Sequence, residues 1–259
     1  MRRRTLLAVA LSTTAAGALG AVGIGDASAA TLDPGLPPGG NFELSVWSLQ
    51  LPSGSPGRPD TISPGQLEAG YTNSSFFWTD SNDGSMTFWA PEKGVTTPNS
   101  KYARSELREM NANGSAANWA LAGNHTLSAQ LRIVSVTKNV AVGQVKLGTG
   151  GPSTKPLAEL YYRPNGDIFL GTQNSPDASG QTLHKVGNVA LGTRWTYVIN
   201  VSGSKINLTV NGTRTTYTIP SAFKPYRQYF KAGSYNQSSS ESTTNGAKVK
   251  FYSLTVEHG

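Results

Sequence analysis

INLTVNGTRTTYTI, residues 206–219, decides the fold class. Its side chains alternate on either side of Asn211-Gly212, a pair that accepts the positive φ angles of a type I′ turn. The stretch is therefore a β-hairpin with a two-residue loop. A second hairpin is written in AELYYRPNGDIFLG, residues 158–171, around Pro164-Asn165-Gly166. Further strands are expected at residues 125–136, 140–147, 195–201, 228–235 and 248–257, with hardly a helical period between them. Many short strands between turn residues describe an all-β domain, a β-sandwich or jelly roll. Such a fold often has one concave face, lined by polar and aromatic residues, where a chain-like ligand can lie.

The 259 residues divide unevenly. Arg2, Arg3 and Arg4 precede an apolar stretch, and Ala27-Ser28-Ala29 supplies small residues for cleavage, so residues 1–30 are expected to be a secretory signal peptide. The paired arginines also permit a twin-arginine export route. Residues 31–41, rich in Pro and Gly, read as a flexible lead, and residues 42–259 as one domain. No later segment is long and apolar enough to cross a bilayer. The chain has no cysteine, which excludes disulfides, thiol nucleophiles and thiolate metal sites. Losing three Arg and one Asp with the signal lowers the net charge from +7 to about +5. A basic exported protein suits a polyanion, and charge alone fits nucleic acid, anionic lipid and acidic polysaccharide equally.

Three strand-like segments are polar along one whole face. In YARSELREM, residues 102–110, alternation groups Arg104, Glu106 and Arg108. GQVKLG, residues 143–148, groups Gln144 with Lys146, while Val142, Val145 and Leu147 cannot all share the opposite face. QYFKAGSYNQ, residues 228–237, groups Tyr229, Lys231, Gly233, Tyr235 and Gln237. Guanidinium groups bind carboxylates through two parallel hydrogen bonds, and Gln and Tyr complete the shell. The three arrays imply a cationic groove, which Tyr162, with Tyr161 and Arg163, is expected to line beside the second turn. Other chemistries fit poorly. Glu106 and Glu109 fall on opposite strand faces, unlike the facing carboxylates of a glycosidase, and Glu106 is expected instead to orient Arg104 and Arg108. His125, His184 and His258 show no metal-ligand spacing, His125 is expected to be structural and His258 inert. No G-x-S-x-G or phosphate-binding glycine loop is present. The tryptophans at 47, 78, 89, 119 and 195 are expected in the core.

YARSELREM, GQVKLG and YFKAGSYNQ, in this order, resemble the three signature blocks of the family 7 polysaccharide lyases, the alginate lyases: R-(S/T)-E-L-R, Q-(I/V)-H and Y-F-K-A-G-x-Y-x-Q. The likeness extends to FELSVWSLQLPSG from residue 42, to DGSMTFWAPEKGVTTPNSKYARSELREM and to KVKFYSLTVEH. One position departs, since Lys146 stands where the family has histidine. The resemblance implies a jelly roll that cleaves a 1,4-linked polyuronate by β-elimination, with no metal or cofactor. Its partner would be an acidic polysaccharide, not nucleic acid or a membrane, bound by a monomer. Carried over, Arg104 and Gln144 would neutralise the uronate carboxylate and Tyr235 would handle the protons. The remaining groove residues, Glu106, Arg108, Lys231, Tyr229, Gln237 and Tyr162, would bind substrate.

The chemistry explains the residue types. Removing the proton at C5, beside a carboxylate, builds an enolate-like dianion, and cations aimed at it stabilise developing charge more than ground-state charge. A base must reach C5–H and an acid must reach O4. Tyrosine's reference pKa of about 10 is high for a base, but nearby cations favour phenolate, and Arg104, Lys146 and Lys231 are candidates for that effect. In guluronate H5 and O4 lie on opposite ring faces, so base and acid must be separate groups. Mannuronate and glucuronate have both on one face, where one Tyr suffices. A lysine is a poor base unless strongly perturbed. Lys146 is therefore expected to bind carboxylate or tune Tyr235, with mannuronate preferred; crowding by Arg104 that turns it into a base is the rival account. A β-1,4-glucuronan is the runner-up substrate, and a non-catalytic polysaccharide-binding module the other function class.

Overall fold

The computed structural model describes residues 31–177 and 180–259, so the signal-peptide reading lies outside the described residues. In chain order the strands are β1 (Trp47–Ser55), β2 (Arg58–Ile62), β3 (Phe77–Thr79), β4 (Met86–Pro91), β5 (Arg104–Glu109), β6 (Asn124–Val136), β7 (Val140–Leu147), β8 (Pro156–Tyr162), β9 (Asp167–Gln173), β10 (Gln181–Asn188), β11 (Arg194–Ser202), β12 (Lys205–Val210), β13 (Thr213–Thr218), β14 (Gln228–Asn236) and β15 (Gly246–His258). They form two antiparallel sheets, ordered β10-β9-β8-β7-β14-β5-β1-β2 and β13-β12-β11-β6-β15-β4-β3. The jelly-roll expectation is met. No helix among the described residues is long and apolar enough to cross a membrane.

Local chemistry sets the elements. Asn211 and Gly212 take φ angles of 45° and 81°, and Val210 faces Thr213, so the β12–β13 hairpin turns as its sequence requires. Ile206, Leu208 and Val210 alternate inward beside Val201, Ile199 and Tyr197 of β11. The core lies between the sheets, with Phe230, Leu107 and Val145 from the first meeting Phe88, Phe251 and Leu131 from the second. Within it Phe88 packs 5.1 Å from Phe77 and 5.4 Å from Phe251.

Two irregularities shape the first sheet. Pairing slips between Ala141 and Gly143 on the β8 side, and between Ala232 and Tyr235 on the β14 side. This bulge shifts the parity of β7, so Val140, Val142, Val145 and Leu147 all join the core while Gln144 stays on the outer face. Gly233 adopts φ 145°, and a Cβ there would meet the Glu106 Cα and the Ser105 carbonyl oxygen at 2.8 Å. The lead departs from expectation. Residues Pro38–Asn41 form a helical turn, and Asn41 holds Asp33 through two 2.8 Å hydrogen bonds, so the segment is fastened down by its own side chains.

Candidate active site

Register decides which polar side chains meet. Arg104 faces Tyr235, Glu106 faces Gly233 and Arg108 faces Lys231 across β5–β14. On the other side of β14, Lys231 faces Gln144, Tyr229 faces Lys146 and Tyr235 faces Ala141. One strand further, Gln144 faces Glu159 and Ala141 faces Tyr161. The three arrays read from the sequence thus lie side by side on one face of the first sheet.

Tyr235 lies under the Arg104 guanidinium, 3.7 Å from its ring centroid. Ser100 ties the two together. Its hydroxyl accepts from Arg104 Nη2 at 3.0 Å and lies 3.2 Å from the Tyr235 hydroxyl. The single Ser100 hydrogen can go to the Tyr102 carbonyl, 3.1 Å away, or, by rotation of the hydroxyl, to a Tyr235 phenolate. Beneath this pair sits Glu106, fully buried. It accepts from Arg104 Nη1 at 3.3 Å, from Lys231 Nζ at 2.5 Å and from Gln144 Nε2. Burial alone would raise the Glu106 carboxyl, but Lys231 and Arg104 hold it below its ordinary value. Burial pulls Lys231 down to about 7, against the pull of Glu106 and helped by the Arg104 charge. Arg104 already balances the carboxylate, so Lys231 is the cation the cluster can neutralise.

Two buried polar atoms here have no partner, Arg104 Nε and Gln144 Oε1. Unsatisfied buried polar groups are rare in folded proteins, and at the floor of a groove they mark where a ligand completes the shell. Glu106 and Lys231, both buried, support this floor from below, so the expectation that they touch substrate is corrected to a positioning role. Glu106 also does not hold Arg108. That guanidinium donates to the Glu109 and Ala117 carbonyls and lies 4.1 Å over the Tyr229 ring.

Lys146 points elsewhere. Its ammonium donates to the Thr154 carbonyl, and burial lowers its pKa while Glu159 resists and Arg104 reinforces the fall. Among the described residues it makes no hydrogen bond to Tyr235, so the tuning role expected for it has only its charge on Arg104 to act through. Glu159, opposite Gln144, was not anticipated. It is almost fully buried, and its Oε2 bonds the Tyr161 hydroxyl at 2.5 Å and Gln181 Nε2 at 2.9 Å. Burial raises its carboxyl, in contrast to Glu106. Gly171 makes the cluster possible, since a Cβ there would meet Gln181 Oε1 at 2.3 Å and Tyr161 Cε2 at 2.9 Å.

Tyr162 is not a groove residue. It lies in the core with Leu160, stacked 6.3 Å from Trp195, and donates to the Val189 carbonyl at 2.9 Å. Alternation places Glu159, Tyr161 and Arg163 on the polar face instead. Gln237 does face the groove, anchored by Nε2 to the Tyr235 carbonyl at 3.2 Å. His258 is not inert. It donates to Glu109 Oε1 at 2.6 Å and its Nδ1 meets that of His125 at 2.7 Å, while Trp119 stacks on His125. Glu109 also accepts from Trp119 Nε1 and the Phe230 amide, so this cluster holds the end of β15 against the sheet. Trp47 and Trp195 are buried in the core as expected, whereas Trp78, Trp89 and Trp119 are only partly buried.

A family model described as "Alginate lyase" matches residues 42–258. A curated alginate lyase of Klebsiella pneumoniae is 31% identical over 281 residues, covering 86% of this chain and 91% of the relative. The crystal structure of alginate lyase A1-II′, a member of polysaccharide lyase family 7, superposes with a TM-score of 0.77 at 34% identity, over 86% of this chain and 98% of that one. An alginate lyase from Pseudomonas aeruginosa gives 0.77 at 31%, over 83% and 99%. Variants of A1-II′ have been solved with a product written GGG and a substrate written GGMG. By signature blocks, fold and likeness over nearly the whole domain, the chain belongs to the alginate lyases of polysaccharide lyase family 7.

Proposed function

We propose that this lyase is exported and prefers poly-β-D-mannuronate, with Tyr235 serving as both base and acid. The observation that carries the reading is the Arg104–Tyr235–Ser100 triangle: a phenol under a fixed guanidinium, with a hydroxyl able to hydrogen-bond its anionic form. The unpartnered Arg104 Nε and the second hydrogen of Gln144 Nε2 would donate to the uronate carboxylate, leaving Gln144 Oε1 to accept from a sugar hydroxyl. The Tyr235 phenolate then removes H5. The electron pair left at C5 forms the C4=C5 double bond, the C4–O4 bond breaks, and the proton held by Tyr235 passes to O4. This sequence returns Tyr235 to its starting form and needs both reacting positions on one ring face. Lys146 supports the reading in that its ammonium is engaged by the Thr154 carbonyl, while the lowering of its pKa by burial and Arg104 is what the rival account, Lys146 as a separate base, requires, and the polyguluronate rate decides between the two.

The test compares initial rates on purified polymannuronate, polyguluronate and β-1,4-glucuronan, followed by the ultraviolet absorbance of the unsaturated uronate. Polymannuronate is expected to lead, with glucuronan second. A polyguluronate rate equal to or above it refutes the proposal, and no absorbance change on any polymer identifies a binding module. Export rests on the charged, apolar and small-residue pattern of residues 1–30, and is tested by locating the protein expressed from the full chain.

A further inference from the structure

Past Tyr235 the outer face of the first sheet continues over β8, β9 and β10. There a cleft of about 230 Å³ is lined by Asn139, Tyr161, Arg163, Phe169, Gln181 and Gln237, with the half-exposed Leu183 at its side. Parity and register build it. Tyr161 faces Phe169 across β8–β9, and Leu183 faces Gly171 across β9–β10, so all these side chains leave the same side of the sheet. Gln237 joins the cleft directly to the Tyr235 rung.

Arg163 is the notable member. Its guanidinium carbon lies over the Phe169 ring, 4.0 Å from the centroid, and the group forms no ion pair among the described residues. Every carboxylate nearby is already engaged: Asp167 holds Lys185, and Glu159 is buried behind Tyr161 and Gln181. Stacking on Phe169 fixes the plane of the guanidinium while leaving its edge of N–H donors open. Around it stand amides, which suit sugar hydroxyls, and Leu183, which suits the apolar face of a pyranose ring.

We propose that this cleft is a distal uronate subsite, in which Arg163 binds the carboxylate of a sugar remote from the cleaved bond. The proposal rests on the polyuronate reading of the Tyr235 site and extends it. Tyr235 on β14 and Phe169 on β9 are three strand spacings apart, roughly 14 Å, a distance that about three linked pyranose units span. One chain therefore engages Arg104 and Arg163 together. Arg163 holds the register of the polymer, and so decides which bond lies over Tyr235.

The experiment uses Arg163→Met, which keeps the stem on Phe169 and removes the charge. Equilibrium binding of a mannuronate hexamer is measured on Tyr235→Phe with and without this change, beside a carboxyl-reduced hexamer. One charge-assisted contact predicts a 10- to 100-fold rise in Kd for the acidic hexamer and no change for the reduced one. With Tyr235 intact, an end-labelled hexamer cut mainly at one bond by the parent is expected to be cut at several by Arg163→Met. Unchanged Kd, or equal weakening of both hexamers, overturns the subsite. So does an unchanged cutting pattern. If the parent cuts no polyuronate, the lyase reading fails separately and the binding comparison still decides the role of Arg163.

Discussion

Replacing Glu106 by Gln tests the charge arrangement under the active site. The carboxylate is fully buried and faces two cations, Arg104 at 3.3 Å and Lys231 at 2.5 Å. Removing one partner of a buried ion pair commonly costs about 3–5 kcal/mol, because the other charge is stranded. Here Lys231 offers a way out. With a pKa near 7 it sheds its proton at neutral pH almost free of cost, leaving only the lost contacts of Arg104, about 2–3 kcal/mol. The sign with pH follows from proton counts. Lys231 is depressed in the folded protein, so its contribution to stability rises with pH between about 7 and the model-compound value of 10.5, where only the unfolded chain holds the proton. In Glu106→Gln the folded pKa drops further, and that rising window extends below 7. The two proteins should therefore run parallel from pH 7 to 8, while the deficit of the variant grows by about 1 kcal/mol per pH unit below 7, the linkage of one proton. Urea unfolding of both proteins at pH 6, 7 and 8 measures this. A deficit that is the same at pH 6 and pH 8 would refute the assignment of Lys231 as the yielding cation.

Ser100→Ala removes the hydroxyl shared by Arg104 and Tyr235 and is expected to lower kcat about 10-fold with little change in melting temperature, since the residue is only partly buried. Unchanged kcat would show that Ser100 gives the phenolate nothing. Lys146→His supplies a neutral base at the groove wall and is expected to raise the polyguluronate-to-polymannuronate rate ratio at least about 10-fold, within the usual range for general-base catalysis; a constant ratio would show that position 146 does not govern the choice of uronate. Gly171→Ala forces a methyl group against Gln181 and Tyr161, and overpacking of this kind costs about 1–3 kcal/mol. Its unfolding free energy should fall by that amount, and a loss too small to measure would mean that the Glu159 cluster relaxes freely.

What could be read from residues alone was whatever is local or depends on parity. The Asn211-Gly212 turn carries its own conformational signal, and β7 runs from Val140 to Leu147 as expected because a dense apolar run marks both ends. β10 was invisible: none of its eight residues is buried, so no apolar alternation announces it. Arg104, Gln144, Lys231 and Tyr235 share one face by parity within their strands, whereas the seating of the third block between the second and the first could not be read from their order in the chain. Tyr162 was misplaced where adjacent tyrosines left parity open, and its apolar neighbours Ala158 and Leu160 would have assigned it to the core. Ser100 reaches the site from a loop through hydrogen bonds that carry no periodic trace, while Glu159 enters through the β7–β8 register, which parity alone does not reveal. The lead looked loose by composition, yet one asparagine side chain is enough to close it.

The rungs of the active site join distant parts of the chain, with Glu106 and Lys231 separated by 125 positions in sequence and Ser100 and Tyr235 by 135. Such long closures become favourable only once the sheets have condensed on each other, and topologies of this kind fold slowly. No fragment or half-formed sheet can assemble the triangle around Tyr235. During refolding, catalysis should therefore return in the same final phase that buries Trp195, which makes turnover a reporter of the completed sandwich.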